Sequence, residues 1–411
     1  MARVSGVAFG RTVKRRLGAL SLALASAALP AAAQAQEAGP DPDVKVHAFV
    51  SQGVIKTTKN NYLAHSDRGS FDFTEVGINF TANLSDKLRA GVQLFAHDLG
   101  PLGNYTPTFD WYYLDYRFAD WLGIRAGRTK IPFGLYNDSA DIDAARVPIL
   151  LPQSVYPMDH RDYLLAQTGG ELYGNVRLGE AGAFEYRAYG GTLDFGTPLP
   201  PAPGVTVENL QMPYVYGGRA WWSTPLDGLS AAGSYQALRF DSEYHIAPPL
   251  IPVLQSVGLL PPGFTGTLPT QFRVKLWVAS LEYQRGDLLV AAEYSRWIGK
   301  FNSQAPALLP PHIVNERYYG MVSYHVTPWF TPGAYYSVYY PDMDKREGKQ
   351  AFQRDLALSV RFDVTPNWLV KLEGHFMNGT AALEPTLNDG QQPKDLVQNW
   401  GAYLLKTTAY F

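Results

Sequence analysis

Cysteine is absent from the 411 residues. That excludes disulfide staples and thiolate metal ligands. Beyond residue 35 no run of 18 apolar residues occurs, which excludes a bundle of membrane-spanning helices. A basic excess is missing as well. The formal net charge is -2, and five of the 35 basic residues but none of the 37 acidic ones fall in the first 35 positions. The remainder is more acidic still, and no nucleic-acid partner is expected. Histidine is scarce, at eight, and no serine sits in a G-x-S-x-G elbow. Asp141-x-Asp143 lacks the glycine turn and terminal Glu of a calcium loop, so no metal is expected. No ATP, redox or other cofactor is implied.

Aromatic residues are abundant, at 13% with 26 Tyr and 20 Phe. Met1–Ala35 reads as a secretory signal peptide. Arg11, Lys14, Arg15 and Arg16 precede the apolar run Leu17–Leu29, and Ala33-Gln34-Ala35 supplies an A-x-A cleavage site. The apolar run is too short to span a bilayer. Residues 36–411 are expected to form one domain.

Period-two alternation predicts sixteen strands, at 45–55, 70–82, 86–97, 109–118, 121–130, 168–178, 183–191, 213–224, 229–240, 272–283, 288–298, 316–327, 331–340, 352–363, 367–377 and 398–410. Their connections alternate between tight turns, such as Asn83-Leu84-Ser85 and Ala119-Asp120, and long loops. Seven short turns and eight long loops close the arithmetic of an even-numbered barrel, with both termini on the short-turn side. The expected fold is all-β: a 16-stranded antiparallel transmembrane β-barrel with an inward-folded third extracellular loop.

Each strand is expected to have one apolar face. Leu356, Leu358, Val360 and Phe362 alternate with Gln353, Asp355, Ser359, Arg361 and Asp363. Strand length, leader and terminal Phe411 favour apolar residues toward lipid and charge toward a watery lumen. Trp111, Trp121, Trp221, Trp222, Trp329 and Trp368 are expected in interfacial belts. Inner-face charges are expected at Lys45, Glu75, Arg89, Asp115, Arg125, Arg177, Glu185, Arg187, Arg273, Lys275, Glu293, Arg361, Lys371, Glu373 and Lys406.

The longest connection, 131–167, carries an apolar middle (Val147, Ile149, Leu150, Leu151) that is costly to leave in solvent. Folded inward it would bury that patch and narrow the pore; an outer lid or a subunit-contact loop is the alternative. Its charges are Asp138, Asp141, Asp143, Arg146, Asp159, Arg161 and Asp162, with His160. Opposed by basic wall residues, they would set up a transverse field.

The closing stretch Gln398–Phe411 resembles the C-terminal strand of bacterial outer-membrane barrels. At architecture level residues 36–411 resemble the general-porin superfamily. Gly127-Arg128-Thr129-Lys130-Ile131-Pro132-Phe133-Gly134 is similar to a G-x-x-K-x-P-F-G segment of phosphate-selective-like porins. The Asp-rich loop departs from the dense Arg and Lys constriction of a phosphate channel. The resemblance implies a non-enzymatic outer-membrane channel for small hydrophilic solutes or ions, in contact with outer-membrane lipid and lipopolysaccharide, and a homotrimer. It also implies an eyelet formed from Asp138–Asp162 facing Arg89, Arg125, Arg177 and Arg187. A structural or adhesive barrel with a closed lumen, or a membrane-embedded hydrolase, remain the alternatives.

Overall fold

A computed structural model describes residues 43–193, 204–309, 311–388 and 395–411. The expected leader lies outside the described residues. The strands are β1 (Asp43–Thr57), β2 (Phe73–Asn83), β3 (Leu88–Leu99), β4 (Thr108–Ala119), β5 (Leu122–Lys130), β6 (Ala166–Arg177), β7 (Ala183–Thr192), β8 (Val205–Ser223), β9 (Leu229–Ile246), β10 (Thr267–Arg285), β11 (Leu288–Ser303), β12 (His312–Tyr324), β13 (Phe330–Tyr340), β14 (Gln353–Thr365), β15 (Trp368–Gly379) and β16 (Asn399–Tyr410). Each pairs antiparallel with its neighbours in sequence, and β1 pairs with β16, Phe49 opposite Tyr410 and Thr57 opposite Ala402. The barrel is closed, so no strand edge is left unpaired.

Every expected span coincides with a strand. On the long-connection side β8 to β11 run past the expected limits at 213, 240, 272 and 298. The added stretch of β8 contains Asn209 at φ 51° and two register shifts, between Glu208 and Gln211 and between Gln211 and Tyr214. Polar residues on both faces there erase the alternation that marks a strand in sequence.

One face of the sheet is apolar and exposed: Tyr112, Leu114, Tyr116 and Phe118 on β4, Leu356 and Leu358 on β14, Trp368, Leu372 and Phe376 on β15, Tyr403 and Leu405 on β16. The alternate positions are polar and buried, among them Asp115, Arg317, Asp355, Glu373 and His375, with Lys371 and Lys406 at 0% exposure. This inverts the polarity of a water-soluble barrel, because a buried charge needs partners and an exposed apolar wall needs an apolar solvent.

Two expectations about facing are corrected. Arg273 and Lys275 are exposed, while their β10 neighbours Val274, Leu276 and Val278 are buried in a cluster with Phe133, Val155 and Tyr156. The buried face of this wall meets apolar residues of the segment after β5, so on β10 the charges fall on the outside. Conversely, Trp111 lies opposite buried Gln93, and Trp221 packs against the same apolar cluster. Trp121, Trp222, Trp329 and Trp368 are exposed, as an outer belt requires.

Candidate functional site

The segment between β5 and β6 begins at two buried residues, Ile131 and Phe133. Its base is closed by Asn137, whose Nδ2 donates to the carbonyls of Ile131 (2.8 Å) and Leu164 (2.7 Å). Gly134 has φ 60°, and a Cβ there would lie against Tyr156 Oη and 2.8 Å from Glu293 Oε1. Only glycine adopts that conformation cheaply in so little space. The Gly134 amide donates to Ser234 Oγ at 2.9 Å, and the Leu135 amide to Glu293 at 3.0 Å. Tyr156 also donates to Glu293. Burial, then the neighbouring Glu293 carboxylate, pushes the Tyr156 phenol well above its ordinary pKa, so it stays a donor.

From this base the segment is tied to polar side chains of many strands. Arg187 of β7 and Arg219 of β8 donate to Asp138 at 2.8 and 3.0 Å. Tyr136 donates to Glu282 of β10 at 3.0 Å. Arg317 of β12 donates to the Ser154 carbonyl at 2.9 Å, and Arg361 of β14 to the Ala144 carbonyl at 2.5 Å. On β15, Lys371 donates to Asp143 Oδ1 at 3.0 Å, and Glu373 accepts the amides of Ile149 (2.7 Å) and Leu150 (2.9 Å). On β16, Lys406 lies 3.5 Å from Asp143 Oδ1, and Thr408 donates to Oδ2 at 2.7 Å. The apolar middle is buried. Ile149 and Leu150 join Ile55, Phe73, Leu99, Trp400 and Leu404, whereas Leu151 and Val155 join the β8–β14 wall.

Burial alone would raise the pKa of all three loop aspartates. For Asp138, Arg187 and Arg219 reverse this; for Asp141, Arg161 and Lys130; for Asp143, Lys406 and Lys371. Each carboxyl is therefore held below its usual range and stays charged. Asp141 is ion-paired to both Lys130 and Arg161, and Arg161 also donates to Asp110 at 2.8 Å.

A cavity of about 740 Å³ runs beside the segment. Its lining includes Lys45, His47, Arg89, Gln93, Trp111, Tyr113, Arg125, Lys130 and Arg187, against the carboxylates of Asp138 and Asp143. A second cavity of about 500 Å³ shares Arg89, Arg125 and Arg187 and reaches Asn83, Ser85 and Asp120 at the short turns. Arg125 is paired with Asp115 (2.9 Å) and Glu171 (3.1 Å). Arg89 makes no side-chain hydrogen bond or ion pair among the described residues.

The expected site residues therefore separate. Asp138, Asp141, Asp143, Arg161 and Arg187 meet in bonded clusters, and Arg89 and Arg125 line the cavity beside them. Arg146 staples the segment to itself, donating to the carbonyls of Ala140 and Ile149. Asp159 is exposed, and the side chains of His160 and Asp162 lie outside the described ones. Arg177 is exposed near the short-turn end, opposite Ala183. Its place at the last pair of β6 keeps it from the segment, which corrects its assignment to the eyelet. Asp110, Lys130, Glu171 and Arg219 were not expected. Arg219 was readable, since it alternates with the outward Tyr216 and Trp222. Asp110 was not: Gln93 pairs with Trp111 and Leu94 with Phe109, so Asp110 is the extra residue of a bulge that breaks the alternation.

No protein-family model matches the chain, and no curated protein matches it in sequence. Solved structures do match in fold. An anion-selective porin from Comamonas acidovorans has TM-score 0.56 and 13% identity over 90% of this chain and 100% of its own. OmpT, an outer membrane protein of Vibrio cholerae, has TM-score 0.55 and 11% identity over 90% and 97%. The outer membrane channel DcaP of Acinetobacter baumannii has TM-score 0.53 and 12% identity over 90% and 97%. The chain is thus similar to outer-membrane β-barrels and has a porin-like fold.

Proposed function

We propose that this protein is an outer-membrane porin that passes small hydrophilic solutes by passive diffusion, with preference for anions. The observation that carries the reading is the cavity pair running beside the segment 131–167 to the short turns. Its upper part is lined by five Lys and Arg side chains against two aspartates; Arg125, Lys130 and Arg187 are paired with carboxylates, whereas Arg89 faces the cavity without one. A low-dielectric wall focuses such an excess on passing ions. The segment, lying inside the barrel, narrows the path, and the desolvation needed to enter rejects apolar solutes. On this reading Met1–Ala35 directs export, the exposed apolar face meets lipid, and the barrel assembles as a homotrimer of the phosphate-selective-porin-like group without phosphate selectivity. Catalysis forms no part of it. Ser359 Oγ donates to Glu373 at 2.6 Å rather than to His375, which is fully buried between Asp355 and Glu373.

Swelling of liposomes containing the purified barrel tests this. Influx of arabinose, glucose and then a trisaccharide is expected at falling rates. A correctly folded barrel that admits none of them contradicts the channel reading.

A further inference from the structure

The outward charges of β9 to β12 have no part in a lumen. Arg239, Arg273, Lys300 and His312 lie in register on four adjacent strands: Arg273 faces Arg239 on one side and Lys300 on the other, and Lys300 faces His312. Lys275 is the next outward position of β10. Like charges directly opposite one another are unfavourable unless something anionic sits between them. The nearby carboxylates do not supply it. Asp241 is bonded to Arg239 at 2.7 Å, and Glu316 is held by Arg346 and Arg296 at 2.7 and 3.5 Å. Arg273, Lys275 and Lys300 are exposed and make no side-chain hydrogen bond or ion pair among the described residues.

The row has a definite height. Just below it, toward the short turns, runs a belt of outward aromatics. Tyr235 is opposite Trp277; the Trp277 and Tyr294 rings are 5.5 Å apart, and Tyr294 and Tyr318 6.3 Å. With ~3.3 Å per residue and a tilt of ~40°, Trp277 stands ~20 Å and Arg273 ~30 Å above the short-turn end of β10. The apolar band of such barrels is about 25 Å tall and ends in aromatic girdles. The cations therefore stand at headgroup level, beyond the hydrocarbon, on the long-loop side.

We propose that Arg273, Lys275 and Lys300, flanked by Arg239, bind the phosphoryl groups of a multiply phosphorylated lipid headgroup in the surrounding leaflet. Three adjacent strands spread the row over ~10 Å. That suits two phosphates on one headgroup better than a single small anion, and Arg273 offers the planar donor fork that phosphate takes. The inference rests on the proposed membrane location but not on conduction.

Native mass spectrometry in detergent micelles containing purified lipid A tests it. The wild-type barrel is expected to retain bisphosphorylated lipid A and to lose it at least tenfold in the triple variant R273S/K275S/K300S. Dephosphorylated lipid A should bind no better than the triple variant binds the intact lipid. Equal retention by the two proteins, or equal retention of the two lipids, overturns the proposal. Displacement by inorganic pyrophosphate at equimolar level would assign the site to a free anion and overturn the lipid source. Heat-modifiable migration on gels establishes that the variant is folded. Single-channel current in the same preparation separates the two readings, since a barrel that holds lipid but carries no current fails only as a porin.

Discussion

The Lys371 ammonium of β15 donates to the Asp143 carboxylate at 3.0 Å and to the Asp143 backbone carbonyl at 2.6 Å, and both side chains are wholly buried. One lysine thus fixes both the charge and the backbone of a residue far away in sequence. Replacing Lys371 with Met leaves the buried carboxylate with Thr408, Lys406 at 3.5 Å and Arg146 at 3.8 Å. Removing one partner of a buried pair costs about 3–5 kcal/mol, more than the marginal stability of a surface loop. The variant is expected to show noisier and larger single-channel currents. In the double variant K371M/D143N, where no charge is stranded, the noise should subside. Equal noise in both would show that the ion pair does not hold the segment.

Glu373 accepts two consecutive amides, from Ile149 and Leu150, together with Ser359 Oγ and His375. A glutamine has one accepting oxygen, so Glu373→Gln frees at least one buried amide, at about 1–3 kcal/mol. Trypsin should then cut the folded barrel after Arg146, whereas the wild-type chain is expected to resist. Gel electrophoresis with N-terminal sequencing reads the outcome.

The pH response follows from the three loop aspartates. Each folded-state pKa is depressed, so their stabilisation is fully present above the unfolded value of about 4 and is lost as pH falls through the folded values. The contribution of these three aspartates to conductance and ion preference should hold from pH 7 to pH 4 and change only in stronger acid. A transition centred near pH 4 to 5 that disappears in Asp138→Asn, Asp141→Asn or Asp143→Asn would mean that the aspartate concerned is not held charged by its partners.

Arg89 faces the cavity without a bonded carboxylate, unlike Arg125 and Arg187. Arg89→Glu should shift the reversal potential in a salt gradient toward cations while leaving the fold intact, because no bonded partner is lost. Arg177→Glu, near the rim, should shift it much less. Comparable shifts from the two would spread the selectivity along the whole path.

Gly134→Ala tests the base of the segment. An L-residue at φ 60° costs roughly 1–2 kcal/mol, and the added methyl also meets Tyr156 and Glu293. The variant should lose its heat-modifiable mobility at a lower temperature than the wild type, whereas Gly179→Ala, where nothing lies within 4 Å, should be milder.

The barrel was readable because its lipid-facing residues alternate without interruption on β12, β14, β15 and β16. Where a strand leaves the apolar band, as in β8 before Tyr214, the contrast disappears and so does the signal. The segment's aspartates were visible as a charged, partly apolar loop. Their partners were not, because Lys371 and Asp143 are 228 positions apart and nothing local links them. Arg273 and Lys275 were placed inward by the rule that charge faces the lumen. That rule fails where the buried face of β10 packs against apolar residues of the segment. Asp110 was hidden by a bulge, which alternation cannot detect.

The most direct test of the account is the single-channel conductance of the barrel, residues 36–411, in planar bilayers under a potassium chloride gradient, compared with a variant lacking Val147–Pro157. Stable steps with an anion-side reversal potential are predicted for the wild type, and larger steps for the deletion, as expected if the segment narrows the path. A folded wild-type barrel that carries no current, or a folded deletion variant with unchanged steps, would contradict it.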